Sequence, residues 1–149
     1  MKGNSSGLRK GRYSELGRIY LVTFVTFERK PIFNDYALGR QVVDVLHKEA
    51  EFTDTLAFVV MPDHVHWLLQ LESKSLSATL KTVKSISSRK VKRIRGMSSD
   101  IWQKGFHDHA VRREEDLVNI ARYIVMNPVR AGLVKSIREY PLWDAVWLQ

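Results

Sequence analysis

The stretch Met61-Pro62-Asp63-His64-Val65-His66-Trp67-Leu68-Leu69-Gln70-Leu71 decides how this chain is read. Side chains alternate across a strand, so His64 and His66 share one face while Val65, Trp67, Leu69 and Leu71 share the other. The apolar side can pack beneath helices. Two imidazoles are then left side by side on the open face, as two nitrogen ligands of one divalent cation would be. Two polar histidines on a solvated strand account equally well for a bare His-x-His, so the pair needs corroboration.

Working outward, residues 55–60 (TLAFVV) form a strand that the turn at Met61-Pro62-Asp63 joins to the histidine strand as a hairpin. Residues 19–27 (IYLVTFVTF) are β-branched and aromatic, as a buried strand should be. After a loop with Pro31, Asp35 caps a helix marked by Leu38, Val42, Val45 and Leu46 and continuing to residues 49–52. Residues 75–95 carry Leu76, Leu80, Val83 and Ile86 on one stripe. Lys81, Lys84, Arg89, Lys90, Lys92, Arg93 and Arg95 crowd the same amphipathic helix. A break at 96–100 precedes a strand over 106–111, a helix over 114–126 that Pro128 stops, and an irregular C-terminal tail. The order strand, helix, strand, strand, helix, strand predicts an α+β, ferredoxin-like antiparallel sheet (βαββαβ) with both helices on one face. The other face is left for the additional C-terminal helix, which carries Tyr123.

A chain of 149 residues with 44% hydrophobic and 27% charged residues has the size and composition of one folded domain. Residues 1–18 lack apolar periodicity and read as a flexible basic arm, which leaves 19–149 as a single domain with its tail. Lys and Arg exceed Asp and Glu by 24 to 16, a net charge of +8 that favours a polyanionic partner. No apolar run approaches the roughly 18 residues of a spanning helix, and the N-terminus has no signal-peptide core, so a cytoplasmic protein without a membrane partner is expected. The absence of cysteine removes disulfides, thiolate metal sites and cysteine nucleophiles.

Corroboration for the histidines comes from Arg122-Tyr123-Ile124-Val125-Met126-Asn127-Pro128. Tyr123 and Asn127 are four apart and share a helical face, while Leu117, Ile120, Ala121 and Ile124 can face the sheet. A tyrosine beside a core stripe is usually a packing residue with a wet tip. Asn127 precedes proline, which pushes it off helical angles and places it at a frayed end.

Together HVHW, the segment WQKGFHDHAVR (102–112) and YIVMNPVRAGLV (123–134) resemble the REP-associated tyrosine transposases. These are relatives of single-tyrosine insertion-sequence transposases within the His-hydrophobe-His endonucleases, and the likeness runs from about Leu8 through Trp143. It implies that His64 and His66 are metal ligands, Tyr123 the nucleophile and Asn127 the third protein contact to the metal. Transposon-borne relatives typically have Gln at that last place. The resemblance further implies a divalent cofactor, Mg²⁺ or Mn²⁺, and single-stranded DNA and DNA hairpins of the REP type as partners. Cleavage would pass through a 5′-phosphotyrosine, and the chain would act as a monomer or, as the alternative, as a dimer, since insertion-sequence relatives form dimers that exchange tyrosine helices. The chemistry suits the residue types. A divalent cation withdraws charge from a phosphodiester, and a phenol with an ordinary pKa of about 10 needs such help to attack. By themselves two imidazoles and an amide favour Mn²⁺ or Zn²⁺.

Further features extend this reading. Lys81, Lys84, Arg89 and Lys90 on the basic helix, and Arg9, Lys10, Arg12 and Arg18 on the arm, are candidate DNA contacts; a solvated charged face is the plainer account of the helix. His107 and His109 form a second His-x-His, which puts Asp108 on the supposedly packed side, so exposure at a sheet edge is expected. Trp102, Phe106, Trp143 and Trp147 suit packing better than base stacking, and residues 141–149 are a candidate cover for the active site. Two other functions compete with strand transfer: a non-catalytic, sequence-specific hairpin-binding protein, and a metal phosphodiesterase that uses water. Covalent capture of DNA separates the three.

Overall fold

The computed structural model describes residues 17–49, 52–112 and 114–148, with only the backbone described at 114–116 and 148. The strands are β1 (Ile19–Val25), β2 (Thr53–Met61), β3 (His64–Leu71), β4 (His107–Val111) and β5 (Trp143–Ala145). Helices α1 (Tyr36–Lys48), α2 (Leu76–Arg95), α3 (Glu114–Val125) and the short α4 (Asn127–Arg130) are interleaved with them. All strand pairs are antiparallel, in the order β4-β1-β3-β2-β5. The first four give the ferredoxin-like sheet expected from the sequence, and β5 extends its β2 edge.

Register divides the sheet into two chemically different faces. Trp67 lies opposite Val22 and Phe58, and Val65 opposite Phe24 and Val60. This face is packed by α1 and α2: Trp102, whose Nε1 donates to Ser87 Oγ of α2 at 3.0 Å, stacks on Phe24 and Phe33. The opposite face carries His64, His66, Thr23, His107 and Val59. Helix α3 lies there, packed against β2, β4 and β5 through Leu117, Ala121, Ile124 and Val125.

The cap expected at Asp35 forms, and α2 carries one that the sequence reading does not single out. Asp35 caps α1, its Oδ1 accepting from Ala37 N at 3.0 Å, and Ser75 Oγ caps α2 by accepting from Ala78 N at 3.1 Å. Gly96, at φ 64°, ends α2 in the left-handed conformation that glycine enters without a Cβ penalty. Arg95 pairs with Asp35, tying the end of α2 to the start of α1.

Four expectations need correction. Helix α1 ends at Lys48 with Glu49 as its C-cap, so it is shorter than the expected run, and residues 50 and 51 of that run lie outside the described residues. Strand β1 ends at Val25, two residues early. Thr26 turns its hydroxyl onto the carbonyls of Lys30 and Asp63, and Glu28 and Arg29 both take φ 56°, which no strand tolerates. Pro128 does not end the helical path. Met126 stays helical, and Pro128 falls in the first turn of α4, where its missing N–H is not needed. The tail is not irregular, since Trp143 pairs with Val59 and Ala145 with Ala57. It is held by Tyr140, whose hydroxyl donates to Val60 O at 2.5 Å, and by Leu142 over Gly39. Residues 143–145 are thus an edge strand of the sheet.

Gly39 lies inside α1, where glycine costs about 1 kcal/mol relative to alanine. A Cβ there would run into Leu142 Cδ1, and Leu142 is fully buried. Gly39→Val is therefore expected to destabilise the protein by about 1–3 kcal/mol by overpacking that contact, and thermal unfolding followed by circular dichroism checks it. An unchanged melting temperature would show that α1 and the tail can separate freely.

Candidate active site

The two imidazoles stand as alternation requires, 4.8 Å apart between ring centroids and steeply inclined at 80°. Each has its Nδ1 engaged: that of His64 lies 2.7 Å from Asp63 Oδ1 and that of His66 lies 2.8 Å from Thr23 Oγ1. With Asp63 ionised, the network assigns the His64 proton to Nδ1, and Thr23 can accept from His66 in the same way. That leaves the Nε2 lone pairs available. A carboxylate or hydroxyl behind the imidazole is the usual support of a histidine ligand, and spacing alone gave no sign of Asp63 or Thr23 in this part.

Asp63 is held from behind in turn. Arg29 Nε donates to its Oδ2 at 3.1 Å, which gives the two left-handed residues after β1 a purpose: they bring a cation to the hairpin turn. Burial by itself raises the Asp63 carboxyl. The His64 hydrogen bond and the charges of His64 and Arg29 outweigh it and hold the group below the usual range. For His66, burial comes first and the charges of His64 and Arg130 add to it, lowering the pKa to about 4.

This depression has a consequence for stability. Between about pH 4 and the unfolded value of 6.5, the unfolded chain binds a proton at His66 that the folded chain refuses. Stability is therefore full above about pH 6.5 and falls as the pH drops toward 4, by up to about 3 kcal/mol from this group. Urea titrations of metal-free protein at pH 7 and pH 5 should show that loss, and His66→Gln should shrink it. An equal loss in the variant would place the cause elsewhere.

Tyr123 is 64% exposed on α3, so it is no core residue. The guanidinium of Arg130 lies 3.7 Å from its ring centroid, and Arg130 Nη2 donates to Tyr123 O at 2.6 Å and to Asn127 Oδ1 at 2.8 Å. Asn127 is half-buried, and its Nδ2 is buried without a hydrogen-bond partner. Arg130 therefore touches Tyr123 and Asn127 while its charge reaches His66. It stands in the quoted segment YIVMNPVRAGLV, but helical periodicity stops at proline and could not bring it back over Tyr123.

The remaining candidates are dispersed. Lys84 donates to the carbonyls of Gln103 and Gly105, at 2.9 Å to the former, and so pins the loop before β4. Lys81 and Arg89 are exposed, with Arg89 donating to Ser85 Oγ, and Lys90 is half-buried. Their helix lies on the sheet face opposite the imidazoles, so one DNA molecule touching both must pass around the sheet. Arg18 is half-buried beside β1, while Arg9, Lys10 and Arg12 lie outside the described residues. His107 and His109 are exposed on the edge strand, but Asp108 between them is only 4% exposed. The expected exposure holds for the histidines and fails for the aspartate, because alternation turns it inward. Trp67 is fully buried, Trp102 packs in the core, and Trp147 is 39% exposed.

Among the described residues no three His, Asp or Glu gather as a metal site, and no helix is long and apolar enough to cross a membrane. Asn127, which the resemblance implies as a third metal contact, has its Oδ1 accepting from Arg130.

Comparison with known proteins adds to this geometry. A sequence model of the family described as "Transposase IS200 like" matches residues 17–127. The chain is 31% identical over 137 residues to a protein of Haemophilus influenzae strain Rd provisionally named a REP-associated tyrosine transposase, covering 84% of this chain and 78% of the relative. It is 29% identical over 108 residues to the REP-associated tyrosine transposase of Escherichia coli K12, covering 71% of this chain and 62% of that protein. Among solved structures, a REP-associated tyrosine transposase bound to a REP hairpin superimposes with a TM-score of 0.69 at 25% identity, over 89% of this chain and 79% of that one.

Proposed function

Because the chain belongs to the IS200-like transposase family, we propose that it cleaves and rejoins single-stranded DNA beside REP-type hairpins, with Tyr123 as nucleophile. The observation that carries this reading is the exposed phenol of Tyr123, stacked under an arginine whose charge also reaches His66. The phenol oxygen bonds to phosphorus and the bond from phosphorus to the 3′ oxygen breaks. The phenol proton is given up to solvent, and the departing 3′ oxygen takes up a proton to become a hydroxyl. The 5′ phosphate stays on the tyrosine. Since the phosphotyrosine keeps an ester bond, a second 3′-hydroxyl can reverse the step on another strand without ATP.

His64, His66 and Asn127 would hold a divalent cation, Mg²⁺ or Mn²⁺. The donor set fits: His66 is neutral at pH 7, both Nε2 atoms are available, and Asn127 has a half-buried carboxamide. Such an ion supplies charge withdrawal from the phosphate and orients it. Asp63 and Thr23 fix the imidazoles, and Arg29 holds Asp63. Lys81, Arg89 and Lys90 suit phosphates of the hairpin stem, outside the reacting site. Covalent capture of a labelled hairpin oligonucleotide on the protein in Mg²⁺ or Mn²⁺, read on a denaturing gel, tests the proposal.

A further inference from the structure

We propose that Arg130 is a third working part of the cleavage site: its guanidinium fixes the phenol of Tyr123 by stacking on the ring, and its Nε and Nη1 donors receive a non-bridging oxygen of the phosphate that the phenol attacks. This rests on the reading of Tyr123 as nucleophile.

Several observations converge on it. An exposed arginine normally spends its side-chain freedom in solvent, yet Arg130 is held by three contacts, the 3.7 Å stack on Tyr123 and hydrogen bonds to Tyr123 O and Asn127 Oδ1. Both hydrogen bonds use Nη2, so Nε and Nη1 have no acceptor among the described residues. No carboxylate among those residues pairs with Arg130 either. A cation beside a candidate nucleophile, with donors left over and no anion of its own, is suited to an anionic substrate. Guanidinium matches phosphate better than ammonium does, because its planar fork fixes direction as well as charge. Placement follows from the fold. Pro128 begins α4 rather than ending the chain's helical path, and the turn of α4 brings residue 130 back over residue 123.

Two measurements test this. The first is the single-turnover rate of covalent adduct formation at saturating hairpin oligonucleotide, together with the DNA dissociation constant. Arg130→Gln should slow adduct formation about 100-fold while weakening binding less than about 10-fold, the signature of a group acting on the reacting phosphate. Arg130→Lys keeps charge without the fork and should fall between, slowed about 10-fold, and free guanidinium should partly restore the Gln variant. The second needs neither metal nor catalysis: the ¹⁹F resonance of 3-fluorotyrosine incorporated at position 123. It should move in Arg130→Gln, and in the otherwise unaltered protein on adding the oligonucleotide. Because Arg130 is exposed, both variants should melt as the parent does; if the Gln variant does not fold, the Lys variant carries both measurements.

An adduct rate in Arg130→Gln within about 3-fold of the parent would overturn the proposal while leaving Tyr123 as nucleophile. If the parent forms no adduct, it is the nucleophile reading that fails. The ¹⁹F signal then decides for Arg130: a shift in the variant sustains its hold on the ring, and an unmoved signal overturns it.

Discussion

Tyr123→Phe is expected to abolish the covalent protein-DNA adduct and strand cleavage, a fall of at least about 1000-fold, while the fold and hairpin binding survive. The asymmetry follows from how Tyr123 sits. Its side chain is 64% exposed, so the substitution opens no cavity, and surface changes of this kind stay within about 0.5 kcal/mol. Phenylalanine keeps the ring face on which Arg130 stacks, so only the hydroxyl is lost. The comparison uses parent and variant with the same labelled hairpin oligonucleotide in Mg²⁺ and in Mn²⁺, with adduct and free cleavage product read from one denaturing gel. Cleavage that persists in the variant without an adduct would make water the nucleophile and the protein a phosphodiesterase. Binding by the parent without cleavage, across several hairpins and both metals, would leave a hairpin-binding protein.

With His64, His66 and Asn127 as the proposed ligands, His64→Ala and His66→Ala should each lower metal-dependent adduct formation by at least about 100-fold, because each removes one of the two imidazoles that would hold the cation. The loss should appear first in metal affinity. Titrating Mn²⁺ by its electron paramagnetic resonance signal, without DNA, should show weaker binding in both variants. Asp63→Asn, which keeps the shape but loses the carboxylate behind His64, should weaken it about 10- to 100-fold. Unchanged Mn²⁺ affinity in all three would remove the histidines from the metal's coordination. His66→Ala also vacates a partly buried position beside Thr23, so the cleaner variant for activity is His66→Gln.

The sequence disclosed those parts of the molecule whose signals lie within a few residues. Period-two alternation put His64 and His66 on one face, and β3 has the bounds expected from it. The cap at Asp35 was legible because a short polar side chain meets the amide two residues ahead. Tyr123 was separable from its stripe by its spacing from Leu117, Ala121 and Ile124, and these are the residues that bury. Local signals failed where a distant residue decides. Thr26 leaves the strand for a carbonyl in the hairpin turn, and residues 143–145 become a strand only because β2 offers an edge.

What the sequence by itself determined is therefore the order of elements, the face that carries the imidazoles, and the residue types available for phosphoryl transfer. The tertiary structure alone places α3 over that face, the basic helix on the opposite one, Asp63 and Thr23 against the imidazoles, and Arg130 over Tyr123. The reason is physical. Alternation and helical period fix directions relative to a local axis, whereas the meeting of Thr23 with His66, or of Arg29 with Asp63, depends on strand register and on a turn held by contacts 34 to 43 residues apart.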